Sequence, residues 1–81
     1  MDHYRARTAA RLQQRQAAIH FIAVRTPTEA ARALLSDPRV TDQGHIYALR
    51  QIVGRMGCIT PASRELMIRV ATPLMPIEAR P

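Results

Sequence analysis

The chain has no lysine and no tryptophan, one cysteine, three glycines and only 4% aromatic residues. Its single thiol, Cys58, rules out an internal disulfide framework and a cysteine-rich zinc site, and it fits a reducing compartment. No run approaches the roughly 18 apolar residues of a membrane span. The N-terminal Met1-Asp2-His3-Tyr4-Arg5 leads into polar Gln13-Gln14-Arg15-Gln16, where a secretory signal would need a continuous apolar core. A Gly-rich phosphate loop and a metalloprotease histidine pair are both missing. These absences point to a soluble cytoplasmic protein that does not engage a membrane.

What the chain does carry is arginine. All twelve basic side chains are arginines, set against six acids, for a formal charge of +6 over 81 residues. That balance favours acidic partners, whether nucleic acid or an acidic protein. A coding bias toward arginine would produce the same absence of lysine. The length allows one small domain, which buries only about 60% of the surface its unfolded form exposes. A subunit or ligand that adds burial would therefore matter to it.

Proline and glycine at Pro27, Pro38, Gly44, Gly57, Pro61 and Pro73 cut the sequence into helix-length segments. The pattern predicts an all-α fold, a small bundle of about four helices over residues 1–72, followed by a proline-containing C-terminal tail over 73–81. In Thr26-Pro27-Thr28-Glu29, threonine caps, proline takes the first helical position and Glu29 reaches back as a capping box. That helix places Ala30, Ala31, Leu34 and Leu35 on one face and stops at Asp37-Pro38. Thr41 or Asp42 caps a third helix, whose Ile46, Leu49, Ile52, Val53 and Met56 recur at three- and four-residue steps. Gly57 is placed to close it, with Cys58 packing back on Val53. Thr60-Pro61 starts a fourth helix running to Ala71.

Two segments are less regular. Arg5 to Gln16 reads as a helix, but 17–24 is apolar all round and fits either the end of that helix or a short strand at 19–24. Helix is preferred, because a lone strand lacks a pairing partner. The fourth helix carries Leu66, Met67, Ile68, Val70 and Ala71 around most of its axis, leaving Glu65 and Arg69 as a narrow polar stripe. Such a helix is either central to the domain or part of a homodimer interface.

No catalytic constellation is evident. The three histidines, one cysteine and six carboxylates show no recognisable spacing, so neither enzymatic activity nor a metal or other cofactor is expected. His45 projects onto the apolar face of the third helix, as a core histidine or a pH-sensitive group. The opposite face gathers Tyr47, Arg50, Gln51, Gly54 and Arg55, a mixture suited to phosphate and base edges. A solvated helix face has the same composition. Arg7, Arg11 and Arg15 follow a four-residue step, as a line tracking a phosphate backbone or an acidic protein groove. The third and fourth helices have the spacing of a DNA-binding helix-turn-helix, but the fourth has too little polar surface to read bases.

The expectation is thus a small non-enzymatic regulator binding nucleic acid through a basic helical surface. The competing one is an adaptor or inhibitor that docks on an acidic partner protein through the fourth helix, residues 17–24 and the tail.

Overall fold

Three Thr or Asp caps set where the shorter helices begin, each by offering a side-chain oxygen to an otherwise unpaired backbone N–H. In the computed structural model, which describes residues 2–55 and 59–77 with side chains from Arg7 onward, four α-helices follow in order. They are α1 (Asp2–Ala23), α2 (Pro27–Leu35), α3 (Gln43–Gly54) and α4 (Pro61–Ala71), and a 3-10 turn, Thr72–Leu74, follows α4. No strand occurs among the described residues.

The apolar stretch 17–24 continues α1. Ala18 and Ile22 are buried one turn apart, with Ala17 and Phe21 half-buried beside them, while Ile19 and Val24 face outward. A helix thus sorts this run into two faces, which removes the need for a strand partner. Arg25 closes it. Its Nη1 donates to the Phe21 carbonyl at 2.8 Å, and its guanidinium lies over the Phe21 ring, 3.8 Å from the centroid. A cation at this end satisfies an orphan carbonyl and opposes the negative end of the helix dipole.

At α2, Thr26 Oγ1 accepts from the Glu29 N–H at 3.1 Å. Glu29 reaches back, but to the threonine hydroxyl, which donates to Oε1 at 2.9 Å. Asp37 stops the segment by accepting the Arg39 N–H at 2.9 Å and pairing with the Arg39 side chain at 2.7 Å. Of the two candidate caps for α3, Asp42 acts, accepting the His45 N–H at 3.0 Å. Thr60 caps α4 through the Ser63 N–H at 3.1 Å.

The expected C-terminus of α3 is corrected. The helix ends at Gly54, and the Arg55 N–H is shared between the Gln51 and Ile52 carbonyls at 3.1 and 3.3 Å. Gly54 costs the last turn about 1 kcal/mol relative to alanine, so the ladder tightens and stops there. Met56, Gly57 and Cys58, with the proposed Cys58 contact on Val53, lie outside the described residues.

The core consists of Ala18 and Ile22 from α1, Ala30, Ala31 and Leu34 from α2, Leu49 and Ile52 from α3, and Met67, Ile68, Val70 and Ala71 from α4. No polar side chain is buried among the described residues. Helix α4 packs on each of the other three helices and on the 3-10 turn, which makes it the central element. Its wide apolar face is thereby covered by the chain's own helices. The tail boundary expected at 72/73 falls inside the 3-10 turn, which packs on α1 and α4, and Leu74 and Met75 lie against the core.

Candidate nucleic-acid interface

Helix α3 has two chemically distinct faces because its apolar residues keep helical spacing. Leu49 and Ile52 are buried and Ile46 and Val53 half-buried, anchoring one side to α2 and α4. That anchoring leaves Gln43, Tyr47, Arg50, Gln51 and Gly54 in solvent on the other side, with Arg55 exposed just beyond the helix end. Tyr47 is 67% exposed. Tyr47, Gln51 and Gly54 occupy successive turns, about 5 Å apart along the axis. A Cβ built on Gly54 meets no atom of the described residues within 4 Å.

The face combines charged, polar and aromatic groups. Two guanidinium groups supply forked donors for phosphate or guanine, Gln51 offers the donor and acceptor pair that matches an adenine edge, and Tyr47 gives a planar surface.

The arginines of α1 take a different course. Arg7 and Arg11 are exposed as expected, but Arg15 is engaged: its Nη2 lies 3.0 Å from Oε1 of Glu65 on α4. The line is therefore two open cations and one that also ties α1 to α4. Arg11 and Arg15 border a cleft of about 580 Å³ shared with Leu12, Arg69 and Pro73. Arg69 was missing from the sequence candidates. Its four-residue step from Glu65 was visible, but the neighbourhood of α1 was not.

Helices α1 and α3 make no contact with each other, since α2 and α4 stand between them. The two sets of candidate residues, Arg7, Arg11 and Arg15 on α1 and Tyr47, Arg50, Gln51 and Arg55 on α3, thus form separate surfaces.

His45 lies on the side of α3 that carries Leu49 and Ile52. It sits in the first turn of α3, half-buried, because the helix begins at Gln43. Its backbone N–H and the nearby imidazole hold the Asp42 carboxyl below its ordinary value. The hydrogen bond from the Arg39 side chain does the same for Asp37. Among the described residues, no three His, Cys, Asp or Glu side chains converge as a metal site would require. Among the described residues no helix is long and apolar enough to cross a membrane. Comparison with known protein families, curated sequences and solved structures finds no match to this chain.

Proposed function

We propose that this protein is a small regulator that binds duplex nucleic acid through the outer face of α3. The observation that carries the reading is the exposure, on one helix face, of Tyr47, Arg50, Gln51 and Gly54 while Leu49 and Ile52 lock the helix to the core. A rigidly backed helix with forked cations, an amide and an aromatic ring has the means to position on phosphates and to touch base edges. The charge of +6 supplies the long-range attraction.

Phosphate contacts release counterions, so affinity falls steeply with salt, with a log–log slope of about −0.9 per phosphate neutralised. Replacing Arg50 and Arg55 with Ala removes two such contacts. The slope of duplex DNA binding, read by fluorescence anisotropy across a salt series, becomes shallower by about 2. Unchanged affinity and slope in the Arg50→Ala/Arg55→Ala variant would refute the assignment of this face.

A further inference from the structure

The cleft along α1 differs in character from the α3 face. Leu12, 57% exposed, sits between Arg11 and Arg15, with Arg69 and Pro73 on the opposite wall. A second concavity of about 440 Å³ continues from it past Arg7 and Arg11 to Ile77, itself 55% exposed. Thr8, Arg11 and Gln14 border both, so the two concavities adjoin. Together they bring exposed Leu12 and Ile77 beside Arg7, Arg11, Arg15 and Arg69.

The charge in this groove is incompletely matched. Arg15 pairs with Glu65, whereas Arg7, Arg11 and Arg69 have no ion pair among the described residues. The four acids whose side chains are described are each engaged within the chain. Glu29 bonds the Thr26 hydroxyl, Asp37 pairs with Arg39, Asp42 caps α3 and Glu65 pairs with Arg15. A nucleic-acid duplex satisfies the arginines but offers no apolar side chains to Leu12 and Ile77, and its rounded surface, about 20 Å across, suits an open helix face better than a groove.

We propose that the α1–α4 groove docks an acidic amphipathic helix of a partner protein, its apolar stripe on Leu12 and Pro73 and its carboxylates on Arg11 and Arg69. This is the helix-in-groove mode, with apolar anchors giving affinity and flanking charges giving orientation and rate. It is independent of the α3 reading, since the two surfaces share no residue. A protein carrying both would join a nucleic acid to an acidic protein.

The test uses a fluorescein-labelled peptide of Leu, Ala and Glu with leucines at helical spacing and glutamates on the flanks. The full-length protein binds it, and Arg11→Glu/Arg69→Glu weakens binding about tenfold or more. Leu12→Asp weakens it comparably, while Arg50→Ala/Arg55→Ala leaves it unchanged. Because Arg11, Leu12 and Arg69 are exposed, an unchanged thermal midpoint verifies that these variants fold. Amide shifts on titration fall in residues 8–15 and 69–74. Equal binding by the charge-reversed variant, shifts confined to α3, or equal affinity for a peptide with every leucine replaced by serine would each overturn the proposal. So would loss of duplex DNA binding, but not of peptide binding, in the Arg11→Glu/Arg69→Glu variant, which would make nucleic acid the occupant.

Discussion

Arg15 on α1 and Glu65 on α4 meet at 3.0 Å across the wall of the α1–α4 groove, with 45% and 47% of their side chains exposed. At that exposure the pair is screened and contributes less than about 1 kcal/mol to stability. Its larger consequence is electrostatic, because Glu65 neutralises a cation the groove would otherwise present. Glu65→Gln is expected to lower unfolding stability in urea by under about 1 kcal/mol. The same substitution tightens binding of the acidic peptide roughly two- to fivefold, by releasing Arg15. Weaker peptide binding with intact stability would mean that Glu65 positions Arg15 for the ligand instead of competing with it.

Asp37 and Asp42 both have carboxyl groups held below the ordinary value of 3.8, by the Arg39 side-chain hydrogen bond and the His45 backbone hydrogen bond respectively. A depressed folded-state value means that the ionised form is favoured by folding. The stabilisation is therefore fully present above the ordinary value and is lost as pH falls through the depressed one. Circular-dichroism melts are expected to show this contribution constant above about pH 5 and declining below about pH 4. In Asp37→Asn/Asp42→Asn the acid decline is shallower and the midpoint at neutral pH is lower. An identical acid profile in that variant would show that neither interaction persists in solution.

The starts of α2 and α4 were legible because capping is local. Thr26-Pro27 and Thr60-Pro61 place an oxygen and a preset backbone angle within a few residues of the N–H groups they serve, whereas for α3 the sequence left Thr41 and Asp42 open. The outward face of α3 was legible for a similar reason, since one amphipathic period assigns both faces at once. Contacts between distant segments were not. Arg69 and Arg11 come together because α4 packs along α1, and nothing within either helix specifies its neighbour. The first helix hid its inner face, because small Ala17 and Ala18 and polar Gln14 do the packing that larger apolar residues usually announce.

Met67 tests how far one side chain of the central helix supports the whole. It is fully buried in α4, the element that touches every other. Met67→Ala leaves a cavity and is expected to cost about 2–5 kcal/mol. A domain of this size has a total of roughly 4–12 kcal/mol. A large drop in the urea midpoint, with much of the stability gone, is the predicted result. A loss below about 1 kcal/mol would mean that α4 is not the packing centre.

Gln14 holds the end of the described chain to α1, donating from Nε2 to the Met75 carbonyl at 3.0 Å across a partly buried contact. A hydrogen bond of this kind contributes about 1 kcal/mol, and more is lost when the acceptor stays shielded from water. Gln14→Ala should reduce global stability by about that amount and speed amide exchange at Met75, whose own N–H bonds the Thr72 carbonyl at 3.2 Å. Unaltered exchange there would show that Leu74 and Met75 are held by apolar packing alone.

Gly54 separates the cost of a residue to the fold from its use at a surface. It ends α3, and a Cβ there meets no atom of the described residues within 4 Å, so Gly54→Ala removes backbone entropy from the unfolded chain without a clash among them. A stability gain of up to about 1 kcal/mol is expected in thermal or urea unfolding. If α3 approaches a phosphate backbone, the added methyl group stands where close contact is needed, and duplex DNA affinity falls several-fold while stability rises. The opposing signs are diagnostic, because a substitution acting through folding would move both measurements together. Higher stability with unchanged DNA affinity would remove Gly54 from the interface and leave its place in α3 without a role in binding.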